Sequence, residues 1–260
     1  MFKVATWNVN SLKVRLGHVL QWLTEHEPTV LALQEIKLID AEFPVEPFER
    51  LGYHAVFSGQ KTYNGVAILA KQPLSNIEVE LPNWVDPQRR VLAVTYDDIR
   101  IINLYIPNGE SLISEKYQYK LLWLKALQNY LQQQLQQYSQ ILVLGDFNIA
   151  PMEQDVHDPL AWQNSVLFSL AEREIFQQIL TLGFQDTFRL FEQLAKSFSW
   201  WDYRAAAFRR NLGLRIDHIL ASDALAKKCQ AAGIDKQPRK WERPSDHTPV
   251  WANFLLNSGS

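Results

Sequence analysis

A single cysteine, Cys229, stands among 260 residues. An internal disulfide is therefore excluded, as is a metal site built on cysteine, and a reducing compartment is the expectation. No apolar run reaches the ~20 residues that a membrane-spanning helix needs. Met1-Phe2-Lys3 leads straight into a strand-like stretch without a signal-peptide core, so the chain reads as soluble and cytoplasmic, with no membrane partner. No repeat, linker or low-complexity block divides it. The expectation is one domain over residues 1–256 with a frayed tail at 257–260. Net charge is also nearly absent, −2 in all, which does not advertise a polyanion binder.

What is present is more telling. An apolar fraction of 47% with 21% charged residues supports a substantial core. Nine tryptophans are many, enough for some to lie at a binding surface. The charge is unevenly spread: residues 1–186 carry 14 Lys and Arg against 21 Asp and Glu, and residues 187–260 carry 12 against 7. A basic C-terminal third on an acidic body suits a polyanion at one face, or is simply the scatter of a solvated surface.

Four consecutive apolar residues, Ile141-Leu142-Val143-Leu144, predict a strand buried on both faces. It runs out at Gly145-Asp146-Phe147-Asn148, where side chains two apart on extended backbone would share one side. Other strands end in the same way. Val4–Trp7 delivers Asn8 and Asn10, and Val30–Leu33 delivers Glu35. Arg90–Tyr96 and Arg100–Tyr105 read as a hairpin turning at Asp97-Asp98, and it delivers Tyr105 and Asn108. Further strands are expected at His54–Phe57, Gly65–Ala70, Arg215–Leu220 and Pro249–Leu255. One helix is expected after Ser11 as N-cap, with Leu16, Val19, Leu20 and Leu23 at helical spacing. A second is buried through Leu121, Leu124, Leu127, Leu131 and Leu135, its glutamines at 132–134, 136 and 137 solvated, and a third lies near Ser169–Leu182. The hairpin breaks regular βαβ alternation, so two packed sheets with helices outside fit best.

Each polar strand end has an ordinary reading: an Asx turn at Asp146, a surface acid at Glu35, core packing for Trp200-Trp201. Asp217 within a strand needs a partner, because an unpaired buried carboxylate is costly, and a histidine is the natural one. Glu35 and the Asx residues offer oxygen alone, which suits a hard cation such as Mg²⁺. Metal, carboxylate, histidine and tyrosine together fit phosphoester hydrolysis.

Six motifs in order carry a specific resemblance. They are Trp7–Leu12, Leu33–Lys37, Asn103–Gly109, Gly145–Pro151, Gly213–His218 and Pro244–Val250. Together they resemble the exonuclease III family of deoxyribonuclease I-like proteins over Phe2 to about Phe254. The resemblance implies a four-layer α/β sandwich, two mixed sheets face to face with helices outside. It also implies Mg²⁺- or Mn²⁺-dependent cleavage of double-stranded DNA 5′ to abasic sites by a monomer, with 3′-to-5′ exonuclease and 3′-phosphatase activities that vary among members and act on 3′-blocked ends. Carried over by motif, Glu35 is the principal metal ligand, with Asn8, Asp146, Asn148, Asp246 and His247 at or near the ion. Asp146 and Asn148 handle the attacking water. His247, paired with Asp217, stabilises the scissile phosphate, and Tyr105 and Asn108 serve the phosphate or leaving oxygen. Asn10, Lys37, Trp200, Arg204, Arg209 and Arg215 are the implied DNA contacts. Val166-Leu167-Phe168 is bulkier and more apolar than many bacterial members show, which leaves the balance of activities open. Two rivals stand beside this reading: another phosphodiesterase of the superfamily acting on inositol phosphate or sphingomyelin, and a catalytically silent nucleic-acid-binding module.

Overall fold

The computed structural model describes residues 1–256; the expected tail at 257–260 lies outside them. In chain order the elements are β1 (Phe2–Asn8), α1 (Leu12–His26), β2 (Val30–Gln34), α2 (Val45–Glu49), β3 (His54–Ser58), β4 (Val66–Ala70), β5 (Ser75–Glu78), β6 (Val91–Tyr96), β7 (Ile99–Tyr105) and α3 (Glu115–Gln137). They continue with β8 (Gln140–Asp146), α4 (Pro159–Trp162), α5 (Leu170–Thr181), β9 (Phe184–Asp186), β10 (Trp200–Trp201), β11 (Gly213–Leu214), β12 (Asp217–Ser222), α6 (Asp223–Ala226), β13 (Cys229–Ile234) and β14 (Val250–Phe254). Two six-stranded sheets form, ordered β13-β14-β1-β2-β4-β3 and β5-β6-β7-β8-β12-β9. Each is mixed: β1–β2 and β7–β8 run parallel and their neighbours antiparallel.

Three apolar layers hold four structural layers together. Between the sheets lie Val4, Ala32, Ile68, Val94, Ile101, Leu142, Leu144, Ile219 and Ala252. Outside the first sheet, α1 and α2 bury Val19, Trp22, Leu23 and Phe48 against Trp7, Leu31 and Leu69. Outside the second, α3 and α5 bury Trp123, Leu127, Leu131, Phe176 and Ile179 against Ile102, Ile141 and Val143. The unbroken run Ile141–Leu144 follows directly. Its even residues face the other sheet and its odd ones the helices, so neither face can be polar.

Some local expectations are corrected. Ser11 occupies the N-cap position of α1 but in a left-handed conformation, with no side-chain cap bond; its amide instead donates to the Glu35 carbonyl. Ser114 and Ser169 do cap, on α3 and α5, the latter in a reciprocal box with Glu172. Gln134 is buried on α3 and accepts from Arg100 Nε at 2.8 Å. Its spacing from Leu127 and Leu131 already puts it on the apolar stripe. The edge strand β13 gave no alternating pattern to read: Gly233 is buried, Gln230 exposed and the other four residues half-buried. Among the described residues no helix is long and apolar enough to cross a membrane.

Candidate active site

The inward rows of several strands change character at the same end of the sandwich. On β1 the row runs Val4, Thr6, Asn8; on β8 it runs Leu142, Leu144, Asp146; on β7 it runs Ile101, Asn103, Tyr105. On β12 it begins at Asp217 and continues as Ile219 and Ala221. Pairing registers align these ends: Tyr105 is opposite Asp146 on the parallel side of β8, and Asp217 is opposite Asp146 on the antiparallel side. Beneath them Gln34 crosses between the sheets to Asn103 Oδ1 at 2.8 Å, and the Asn103 amide returns to the Leu33 and Ala67 carbonyls.

Above that polar floor the side chains form one connected series. Trp200 Nε1 donates to Asp246 Oδ2 at 3.0 Å, and the Asn10 amide donates to Asp246 Oδ1 at 3.1 Å. Lys37 Nζ reaches Asn10 Oδ1 at 2.6 Å and Glu35 at 3.0 Å. Asn8 Nδ2 then bridges Glu35 Oε1 at 2.9 Å and Asp146 Oδ2 at 2.8 Å. His247 Nε2 lies 3.6 Å from Asp146, and its Nδ1 faces Asp217 Oδ2 at 2.9 Å. Asn148 donates its backbone N–H to Asp146 Oδ1 at 2.9 Å, while its side-chain oxygen accepts from the Asn108 amide at 3.3 Å.

Asn148 departs from the expectation. It is left-handed, φ 48°, so its side chain does not run parallel to that of Asp146 and supports that carboxylate through the main chain instead. Asn10, Glu35 and Lys37 also have positive φ. Such conformations cost of order 1 kcal/mol or more each and persist where surroundings over-determine them. Gly145 permits the approach of β7 to β8: with φ 137°, a Cβ there would lie 2.0 Å from the Leu104 carbonyl oxygen.

Burial pushes the Asp146 carboxyl up to about 7, with Asp217 adding to the rise and His247 and the Asn8 amide opposing it. Burial alone would make His247 less basic, but Asp217 first and Asp146 second outweigh it and raise the imidazole to about 10. The ring is therefore cationic at neutral pH, oriented by a carboxylate on Nδ1 and directing Nε2–H toward Asp146. Tyr105 is held well above its ordinary value by burial and by the Glu35 and Asp146 charges. It remains a proton donor, with Arg90 stacked 4.7 Å from its ring centroid.

Asp146, Asp217 and His247 place ligand-type atoms within 4.8 Å of one another. Both oxygens of Asp217 face His247 Nδ1, at 3.1 and 2.9 Å, so that pair is built to orient an imidazole. The carboxylate oxygens of Glu35 and Asp146 suit a hard cation, whereas the Asn8 side-chain oxygen accepts from the Asn10 N–H at 3.0 Å. The Asn8 NH₂ fills the gap between the two carboxylates, where positive charge is wanted, and those two carboxylates fit a divalent metal.

Of the six DNA contacts expected from motif, Asn10, Lys37 and Trp200 belong to the connected series, and Arg204 and Arg209 are exposed and outside it. Arg204 is held by both oxygens of Asp202. Arg215 is a correction: it is 1% exposed and its guanidinium is divided between Asp155 and Asp186. The resemblance implied a DNA contact for it, at the start of the expected strand Arg215–Leu220. In the fold it lies just after β11, where two carboxylates meet it. Trp201 is core, and Trp200 is half-buried against Leu167, Phe168 and Leu214.

Several supports escaped sequence reading. Ser245 Oγ donates to the Asn8 carbonyl at 2.7 Å and accepts from His247 N–H at 3.2 Å, tying two motifs together. Ser199 Oγ accepts from the amides of Ile216 and Asp217, both at 3.1 Å. Neither position carries a signal, because a serine hydroxyl is common on any turn. Lys120 did carry one: it falls on the apolar stripe of α3 between Tyr117 and Leu124.

A two-sheet α/β sandwich with carboxylates, amides and an imidazolium converging at one end has the make-up of a phosphoester hydrolase. The chain belongs to the Endonuclease/Exonuclease/phosphatase family, whose pattern matches residues 5–247, and within it to the exonuclease III group. It is 37% identical to exodeoxyribonuclease III of Haemophilus influenzae over 97% of this chain and 99% of that one. With an exodeoxyribonuclease of Bacillus subtilis it shares 34% identity, over 95% and 97% of the two chains. Among solved structures it resembles the 3′ phosphatase NExo of Neisseria bound to a product DNA hairpin, with TM-score 0.97, 44% identity, and 98% and 100% coverage. An AP endonuclease from Archaeoglobus fulgidus matches with TM-score 0.95 and 40% identity over 98% and 100%. The four-layer sandwich expected from the sequence is the one observed.

Proposed function

We propose that residues 1–256 form one catalytic domain, a monomeric, cytoplasmic DNA-repair phosphodiesterase that cleaves duplex DNA 5′ to abasic sites and processes blocked or recessed 3′ ends. The observation that carries this reading is the connected series from Trp200 to Asp217, hydrogen-bonded throughout except for the ion-pair contact of His247 with Asp146 at 3.6 Å, which gathers acceptors, donors and a cation at one end of the sandwich. Glu35, with Asn8, Asp146 and Asp246 close by, would hold a divalent ion, Mg²⁺ or Mn²⁺, which when bound would neutralise phosphate charge. Asp146, fixed by the Asn8 amide and the Asn148 N–H, takes the proton of the attacking water. His247 presents Nε2–H to the scissile phosphate, and Asp217 holds the ring to that tautomer and orientation. Tyr105 and Asn108 donate to the phosphate or to the departing oxygen. Trp200, Arg204 and Arg209 face the DNA backbone, where contacts give affinity without reading sequence.

One observation favours weight on 3′-end processing. Val166, Leu167 and Phe168 pack with Trp200, Leu214 and Ile216 into one apolar cluster, so the wall beside Trp200 is filled by the protein's own side chains. A terminal 3′ nucleotide needs no cavity there, whereas an extruded abasic sugar does.

The test compares three labelled duplexes, carrying an internal abasic analogue, a 3′-phosphate or a recessed 3′ end, each with Mg²⁺ or EDTA. Metal-dependent cleavage by wild type and loss of roughly 10³-fold or more in Asp146→Ala are expected. Equal activity in EDTA, or an unaffected variant, excludes the mechanism.

A further inference from the structure

The most heavily buried cation near the site has no part in the reaction just described. Lys120 is fully buried, and its ammonium makes three hydrogen bonds, as many as it has N–H groups. Two acceptors are main-chain carbonyls of the site loops, Asn148 at 2.7 Å and Asn108 at 3.1 Å. The third is Glu172 Oε1, itself fully buried. Glu172 also receives the amides of Leu167 at 3.1 Å and Ser169 at 2.9 Å. One ion pair thus ties α3 to the loop after β7, the loop after β8 and the Val166–Phe168 segment.

A buried lysine is an expensive way to fill space, since desolvation opposes its charge and a methionine would pack as well. Burial does lower its proton affinity, with Glu172 opposing. What the ammonium supplies that a methionine cannot is a donor to the Asn148 carbonyl. That residue is left-handed, and its N–H holds Asp146 Oδ1. The lysine stem meanwhile packs on Gly109, where a Cβ would lie 3.2 Å from Lys120 Cδ and 3.0 Å from Val166.

We propose that Lys120 is a positioning residue for phosphoester cleavage: by holding the Asn108 and Asn148 carbonyls it fixes the main-chain turn that aims Asp146, Asn148 and Asn108. This deepens the functional reading above and rests on it. Lys120 is fully buried, out of reach of bound DNA, so its loss acts on turnover and leaves DNA affinity alone.

The experiment compares wild type with Lys120→Met, Lys120→Gln and a control, Arg100→Met, on the 3′-phosphate and recessed duplexes. Arg100 is an equally buried cation on β7, paired with Glu78 at 2.8 Å and away from the site. Both methionine variants should lose thermal stability. Lys120→Met should lose on the order of 10²-fold in kcat, as a small misplacement of reacting groups does, with KM within about threefold of wild type. Arg100→Met should keep kcat, and Lys120→Gln, which retains an N–H donor, should recover part of the loss. A second readout needs no activity: hydrogen exchange at the Asn148 amide should quicken in the Lys120 variants and stay slow in Arg100→Met. Unchanged kcat in Lys120→Met, equal kcat loss in Arg100→Met, or a loss confined to KM overturns the assignment, as does unaltered Asn148 exchange. An inactive wild type with quickened exchange defeats the functional reading and leaves the positioning contact standing.

Discussion

Asp146 and Asp217 are directly opposed across the antiparallel pairing of β8 and β12, and His247 stands over both, 3.6 Å from one and 2.9 Å from the other. Like charges on one rung of a ladder repel, and here both are also buried. The imidazolium resolves that conflict and is itself fixed by it. Asp217→Asn keeps the shape of the rung but removes the charge that sets the ring. Turnover should fall roughly 10²-fold or more with the fold intact by circular dichroism, and the His247 imidazole should titrate well below its wild-type value in an NMR pH series. Unchanged turnover would falsify the orienting role.

Gly145 is the one position in β8 that no other residue can occupy without moving the strand beside it. Gly145→Ala meets the Leu104 carbonyl at 2.0 Å and also demands φ 137° of a residue with a side chain. A loss of about 3 kcal/mol or more is expected from the combined clash and strain, seen as a lowered urea midpoint at constant slope.

His218 neighbours the site without belonging to it. Its ring lies between Arg215 Nη1 at 3.0 Å and the Ile149 carbonyl at 2.8 Å. Burial first and Arg215 second lower its pKa to about 4. The folded state therefore rejects a proton that the unfolded chain binds below about 6.5. The resulting stability is fully present above that pH and is lost as pH falls toward 4. Asp146 acts in the opposite sense over part of this window, so the quantity to measure is the difference between wild type and His218→Gln. From pH 7.5 to 4.5 that difference should shift by about 2–3 kcal/mol against wild type. A constant difference in urea midpoint refutes the assignment.

Arg209 and Arg215 are six positions apart, yet they should fail in different ways. Arg209→Ala should raise KM for DNA a few-fold and reduce the salt-dependence slope by about one, leaving stability unchanged. Arg215→Ala strands Asp155 and Asp186 as buried charges and should cost about 3–5 kcal/mol of stability. Its salt slope should match wild type in whatever fraction folds. A shared phenotype would mean that the guanidinium of Arg215 reaches DNA after all.

The sequence alone determined the layers, and it pointed to the chemistry through six motifs in order. A doubly buried run such as Ile141–Leu144 has few solutions other than a strand between a sheet and helices. Side chains that end apolar runs, such as Glu35, Tyr105 and Asp146, announce themselves because a polar group there needs a reason. Gln134 is expected in solvent with its neighbouring glutamines, although its helical spacing, like that of Lys120, puts it on the buried stripe of α3. What the tertiary structure decided was partnership. Nothing near Arg215 in the chain says that Asp155 and Asp186 enclose it, and nothing near Ser245 says that it joins Asn8 to His247. Nor does extended-strand geometry foretell the left-handed turn by which Asn148 supports Asp146 through its backbone. The physical reason is range: periodicity and turn chemistry are local and are written in neighbouring residues. Burial, ion pairing and pKa depend on side chains that folding brings together from distant parts of the sequence.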